Sequence, residues 1–177
     1  IVKIMEKMGV KSTFTKRGVH LTKIPAKEAF EWDFTDCPDL AQTVAACAVA
    51  KGITVTMTGV ESLKIKETDR IAALQAELPK IGGELVEVVE SVEYKVQRSD
   101  RRMVKGKEQE SNPLLDALFS PLDTQNFPLI DTYDDHRMAM AFAPVGMIHP
   151  ITISEPHVVA KSYPSFWEDL KKVTTVE

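Results

Sequence analysis

Asp39-Leu40-Ala41-Gln42-Thr43-Val44-Ala45-Ala46-Cys47-Ala48-Val49-Ala50, stopped by Gly52 and followed by Ile53-Thr54-Val55-Thr56-Met57-Thr58, decides the fold class. The first part is a run of small, helix-forming residues behind Pro38, with a glycine just past its end. The second part is rich in β-branched residues and reads as a strand. A helix whose side chains are mostly methyl groups has to lie close against its neighbour to bury anything at all. A small-residue helix feeding directly into a strand is therefore half of an α/β layer.

The same order recurs further on. Asp135 opens a second small-residue helix, His136-Arg137-Met138-Ala139-Met140-Ala141-Phe142-Ala143, and Ile151-Thr152-Ile153 is a strand after it. Each strand leads through a loop carrying a lysine, Lys66 or Lys161, into a further helix: about Thr68 to Ile81, bent or shortened at Pro79, and Tyr163 to Val173. Ahead of both copies, Ile1 to Gly9 reads as the last turns of an amphipathic helix closed by glycine, and Lys11 to Lys23 as a hairpin turning at Lys16-Arg17-Gly18. Glu6-Lys7-Met8-Gly9 echoes Pro79-Lys80-Ile81-Gly82. Element order thus predicts two full α/β units, 36–97 and 131–177, behind the tail of a third, 1–35. Opening in mid-helix at Ile1, the chain is expected to be a piece of a longer protein. Glu84 to Val96 reads as one or two strands, while Ala26 to Phe34 and Leu114 to Asp131 carry no clear period. Arg98 to Asn112 is polar and highly charged, and a solvated or disordered loop is expected within a variable insertion at about 98–130.

Composition excludes several classes. With 177 residues, 44% hydrophobic and 27% charged, the chain is an ordinary globular domain. Its net charge of −4 argues against a sequence-independent grip on nucleic acid, which needs a basic face. Two cysteines are no disulfide framework, and the expectation is a reduced, cytoplasmic chain with Cys47 buried in its helix. The four histidines lack zinc spacing, and no apolar run is long enough for a membrane helix.

The chemistry sits where helices begin. In Lys66-Glu67-Thr68-Asp69-Arg70, Thr68 or Asp69 suits the cap, but Arg70 places a cation at the positive end of the helix dipole, which typically costs about 0.3–1 kcal/mol. An anion between the guanidinium and the backbone N–H groups would remove that conflict. Asp134-Asp135-His136-Arg137 repeats the arrangement, with a simple pairing of Arg137 to Asp134 or Asp135 as the bland reading. Asp39 reads most simply as an N-cap. Lys161, behind the apolar Val158-Val159-Ala160, reads as a surface lysine or as a partly buried one whose pKa falls toward proton-transfer duty. Together these residues suit acid–base work on an anionic substrate.

Pro38-Asp39, Leu63-Lys64-Ile65-Lys66-Glu67-Thr68-Asp69-Arg70-Ile71, Asp135-His136-Arg137-Met138-Ala139-Met140-Ala141 and Lys161-Ser162-Tyr163-Pro164-Ser165-Phe166 resemble, in order, the site segments of the EPSP synthase family of enolpyruvyl transferases. The resemblance fails between Val96 and Ile130. It implies an inside-out α/β barrel domain built from βαβαββ units, truncated at its N-terminal side. It implies enolpyruvyl transfer from phosphoenolpyruvate to the 5-hydroxyl of shikimate 3-phosphate, without metal or organic cofactor. It gives Asp39, Glu67 and Lys161 catalytic roles. Ser62, Lys66, Arg70, His136 and Arg137 become substrate contacts. It also implies a separate N-terminal domain completing the site, so that this stretch alone is inactive and the full-length protein a monomer. A relative acting on a UDP-linked amino sugar lacks this pairing of motifs, and the acidic charge disfavours a nucleic-acid-binding module on the same fold.

Overall fold

The alanine run does fold as a helix, α2 (Ala41–Lys51), in the computed structural model, which describes residues 1–88, 93–99 and 127–174. It stops at Gly52, whose backbone is left-handed. Before it come α1 (Val2–Lys7), the hairpin β1 (Val10–Thr15) and β2 (Gly18–Lys23), and β3 (Ala29–Asp33). After it come β4 (Thr54–Thr58), α3 (Arg70–Glu77), β5 (Gly83–Val88), β6 (Glu93–Arg98), β7 (Leu129–Ile130), α4 (His136–Phe142), β8 (Thr152–Ile153) and α5 (Phe166–Val173). Single 3-10 segments at Pro38–Leu40, Glu61–Ile65, Leu78–Ile81, Ala143–Met147 and Pro156–Lys161 join several of them.

The class is mixed α/β, as expected. β3 and β4 pair in parallel, as two strands joined by a crossover helix must, and β6 then pairs antiparallel with both β4 and β5, giving the order β3-β4-β6-β5. β7 and β8 form a second parallel pair around α4. β1 and β2 form a separate antiparallel ribbon. Among the described residues the three sheets are separate and open.

Several boundaries moved, each for a local reason. The aperiodic stretch Ala26 to Phe34 contains β3, with Phe30 and Phe34 in the core. The helix expected from about Thr68 begins at Arg70, because the Asp69 side chain accepts the Ala72 N–H and so sits outside it as the cap. It tightens to 3-10 geometry at Pro79, which cannot supply the next α-helical N–H. The last helix begins at Phe166 rather than Tyr163, and the residues before it form an unforeseen 3-10 segment. Cys47 is only half-buried, though burial still pushes its thiol pKa up. Most of the charged insertion lies outside the described residues. No helix among the described residues is long and apolar enough to cross a membrane.

The core explains how the two parallel pairs come together. Ala41, Val44, Ala45, Ala48 and Val49 of α2 share one buried cluster with Val55 and Met57 of β4 and Met138, Ala141 and Phe142 of α4. Helix α2 packs directly on α4, the alanines of α2 receiving Met138 and Phe142 of α4 in one cluster. Each larger aliphatic chain there contributes about 1.5–3 kcal/mol by leaving water. Since α2 and α4 both begin just after a parallel strand, their packing brings two helix starts to one place.

The ends of β3 and β4 are pinned close by. The Thr35 hydroxyl and N–H both donate to Asp33 Oδ1, at 2.6 and 2.9 Å, and they lower the Asp33 pKa in that order. Gly59, after β4, has φ of +67°, and a Cβ there would overlap Thr35 and Asp33. Gly59→Ala is expected to lower stability by about 1–3 kcal/mol. Urea unfolding would show this as a lower midpoint at unchanged slope; an unmoved midpoint would mean the strand ends are not packed this closely.

Candidate functional site

All the charged residues singled out in the sequence lie just beyond the carboxyl ends of the four parallel strands, where open α/β sheets bind ligands. Asp39 stands in the 3-10 turn after β3, and Glu67 and Arg70 in the segment after β4. Asp134 to Arg137 follow β7, and Lys161 ends the 3-10 segment after β8.

A network of ion pairs ties these segments together. The Arg70 side chain is 3% exposed and the Asp135 side chain 0%. Arg70 grips Asp135 with two N–H groups, Nε to Oδ2 at 2.6 Å and Nη2 to Oδ1 at 3.3 Å. Arg70 Nη1 donates to Asp39 Oδ1 at 3.0 Å, and Arg137 Nη2 lies 2.8 Å from Asp39 Oδ2. Asp135 Oδ1 also accepts the backbone N–H of Arg137 at 2.8 Å, which makes Asp135 the cap of α4. Two carboxylates and two guanidiniums alternate, and each charge is held by at least one of the opposite sign.

A family model described as EPSP synthase (3-phosphoshikimate 1-carboxyvinyltransferase) matches residues 1–170. The chain belongs to the EPSP synthase family. A Bacteroides fragilis relative named 3-phosphoshikimate 1-carboxyvinyltransferase is 39% identical over 171 residues, covering 96% of this chain and 36% of that one. A relative of the same name from Pseudoalteromonas atlantica is 32% identical, covering 97% of this chain and 34% of that one. The chain thus spans about a third of the length of these relatives. A solved EPSP synthase from Acinetobacter baumannii superposes with a TM-score of 0.63 at 22% identity, over 97% of this chain and 38% of that one.

In and around this network, several residues do other work than their sequence positions suggested. Asp39 caps no helix: α2 is preceded by Leu40 without a side-chain cap, and both Asp39 oxygens face arginines. The Arg137 side chain pairs with Asp39 rather than with Asp134 or Asp135. The anion sought beside Arg70 is Asp135, a residue of the protein itself. Lys161 is not buried: its side chain is 44% exposed, and Nζ donates to the Asp134 carbonyl at 2.7 Å and lies 2.8 Å from Asp134 Oδ2. The Asp134 contact raises the Lys161 pKa instead of lowering it, and Lys161 in turn holds the Asp134 carboxyl below its usual range. Glu67, half-exposed, has Oε2 3.5 Å from Nδ1 of the largely buried His136, too long for a good hydrogen bond. Ser62 is half-buried and Lys66 exposed; among the described residues, no hydrogen bond or ion pair joins either to the network.

Asp135 is the residue that sequence reasoning undervalued. The sequence presents it as the opener of a helix and a possible partner of Arg137, whereas the charge it holds is Arg70. The available signal was the doubled acid, Asp134-Asp135, in front of a helix that needs only one cap. Glu67, Asp135 and His136 also bring ligand-type atoms within 4.8 Å of one another. Both Asp135 oxygens already accept from Arg70, however, and the guanidinium charge opposes a cation there.

Two outcomes follow from this geometry. Asp135→Ala leaves Arg70 buried with half its partners gone and is expected to cost about 3–5 kcal/mol. Asp134→Ala, at an exposed position, should shift the unfolding midpoint far less, and equal shifts would show that the buried pair is not special. The Lys161–Asp134 pair should be intact at neutral pH. Its contribution is lost as pH falls through the depressed Asp134 pKa, and again as pH rises through the raised Lys161 pKa. Asp134→Asn should therefore lower the Lys161 titration midpoint, read by NMR at the side-chain carbon next to Nζ; an unmoved midpoint would place the cause elsewhere.

Proposed function

We propose that the full-length protein carrying this chain transfers the enolpyruvyl group of phosphoenolpyruvate to the 5-hydroxyl of shikimate 3-phosphate and releases phosphate, in the shikimate pathway to aromatic amino acids. The observation that carries the reading is the meeting of Asp39, Glu67, Arg70, His136, Arg137 and Lys161 around strand ends in a chain of this family. The 5-hydroxyl oxygen attacks C2 of phosphoenolpyruvate as its own proton passes to a base and C3 takes a proton, giving a tetrahedral intermediate. Loss of phosphate from C2 and of a proton from C3 then restores the C2–C3 double bond and gives the enol ether product.

The roles follow from exposure and charge. Arg137, with its side chain 35% exposed, can exchange Asp39 for a substrate phosphate or carboxylate. Arg70 is a fixed positive charge behind it and reaches the same anion once Asp39 turns away. Asp39, released from the arginines, becomes an acceptor for ring hydroxyls and the base for the attacking one. Glu67 exchanges the proton at C3, with His136 beside it, and Lys161 holds phosphate and shares proton transfer. Lys66 and Ser62 reach shikimate 3-phosphate. Fixed charges aimed at the developing charge supply the larger share of such catalysis.

The same reading extends to the architecture. The units are 1–35, 36–97 and 131–177 around an insertion at about 98–130, in an inside-out barrel. Parallel pairing draws β3 into the sheet of the second unit, and β3-α2-β4-α3-β5-β6 follows the order βαβαββ. An N-terminal domain of the same protein, outside these residues, closes over the site and expels water. The protein acts in the cytoplasm as a monomer, without metal or organic cofactor.

The deciding experiment measures phosphate release by the full-length protein from phosphoenolpyruvate, with and without shikimate 3-phosphate. Release only with both supports the reading; a folded protein that releases none overturns it, and a UDP-linked amino sugar would be tried as acceptor. Glu67→Gln should keep substrate binding but lower turnover about a hundredfold or more, and near-normal turnover would remove Glu67 from the chemistry.

A further inference from the structure

Helix α3 holds the segment after β7 at both its ends. Arg70, its first residue, grips Asp135, and Glu77, its last, grips the residues just before. The Glu77 side chain is 1% exposed and lies inside the protein, away from any role given above. Its Oε1 accepts from the Tyr133 hydroxyl at 2.8 Å and its Oε2 from the Asp131 N–H at 3.0 Å. Lys80 Nζ, 2.8 Å from Oε2, balances the charge and also bonds the Leu129 carbonyl at 2.8 Å and Asp131 Oδ2 at 3.2 Å. Burial alone would lower the Lys80 pKa, but the bonds to Glu77 and Asp131 outweigh it, so the ammonium stays charged. A buried carboxylate with this many donors is a built feature, since an unpaired one costs several kcal/mol.

What Glu77 holds is strained. Tyr133 and Asp134 both have φ of +54°, a conformation that non-glycine residues adopt at a cost and keep only when their surroundings enforce it. Arg70 on Asp135 fixes one side of this turn and Glu77 on Tyr133 the other. Asp134, in the middle, offers Lys161 both its carbonyl and its carboxylate. Partial burial and the Glu77 carboxylate push the Tyr133 hydroxyl pKa up to about 12, so it remains a donor across the working pH range.

We propose that Glu77 is a positioning residue, which holds the Tyr133-Asp134 turn in its left-handed form through the Tyr133 hydroxyl and thereby sets where the Lys161 ammonium stands. The proposal rests on the enolpyruvyl-transfer reading only for its kinetic consequence. Its geometric part concerns Lys161 alone.

Tyr133→Phe removes the one hydroxyl and leaves Glu77, Lys80 and Asp131 joined, so the protein should fold. In the full-length protein two quantities would be measured. The first is the rate at which an amine-reactive reagent labels Lys161, located by peptide mass spectrometry. The second is turnover against KM with phosphoenolpyruvate and shikimate 3-phosphate. Labelling should quicken several-fold as Nζ leaves Asp134, turnover should fall about tenfold, and KM for shikimate 3-phosphate should hold within about twofold. Glu77→Gln should act in the same direction, and adding Tyr133→Phe to it should have little further effect, because both cut one link. Unchanged labelling and unchanged turnover in Tyr133→Phe, with only a lower melting temperature, would reduce Glu77 to a structural group and overturn the proposal. A wild-type protein without transfer activity whose Lys161 labelling still quickens in Tyr133→Phe would sustain the positioning and sink the functional reading alone.

Discussion

The Arg70–Asp135 pair is the constraint on which the rest of the site depends. Two charges removed from water cost more than one contact returns, so the pair persists only with near-complete hydrogen bonding. Arg70 offers its planar fork to both Asp135 oxygens and its third nitrogen to Asp39. Asp135 offers a further lone pair to the first turn of α4. The pair therefore fixes three things together: the start of α3, the start of α4 and the turn after β3. A lysine in place of Arg70 could not do this, because a point charge lacks the fork that sets direction.

That constraint is met because α2 is thin. Alanine-rich α2 lies directly against α4, and their contact carries the two parallel strand pairs to a common edge. Bulkier residues on α2 would hold the helix starts apart and leave Arg70 short of Asp135. The packing of small residues, the open ends of parallel strands and the buried ion pair are successive consequences of one arrangement. Outside the network Glu67 and Lys66 stay exposed, while Lys161, also exposed, is tethered to Asp134.

Much of the fold was legible in the sequence, and the reason differs between elements. α2 and β4 were legible because their signals are local: a run of alanines with a glycine stop, then β-branched residues. β3 was not, since its alternation, Phe30 buried and Trp32 half-buried between exposed neighbours, spans only five residues. The start of α3 was misplaced by two residues because Thr68 and Asp69 are both acceptable caps, and only the bond to Ala72 chooses between them. The 3-10 segment before Lys161 was missed because an apolar run followed by lysine looks the same whether it leads into a helix or ends a turn.

The sequence by itself determined which residues would carry charge to the helix starts, since Lys66 to Arg70 and Asp134 to Arg137 oppose the helix dipole in a way that calls for an anion. It determined the α/β class through element order and the family through motif identity. Only the tertiary structure decided who pairs with whom. Asp39 turned from a cap into the bridge between two arginines, Asp135 became the buried partner of Arg70 as well as a cap, and Lys161, open to either a surface or a partly buried reading, proved exposed with its pKa raised by Asp134. The physical reason is range: capping and propensity act within a few residues along the chain, whereas an ion pair joins whatever the packing of α2 on α4 brings within hydrogen-bonding distance, here residues 39, 70 and 135.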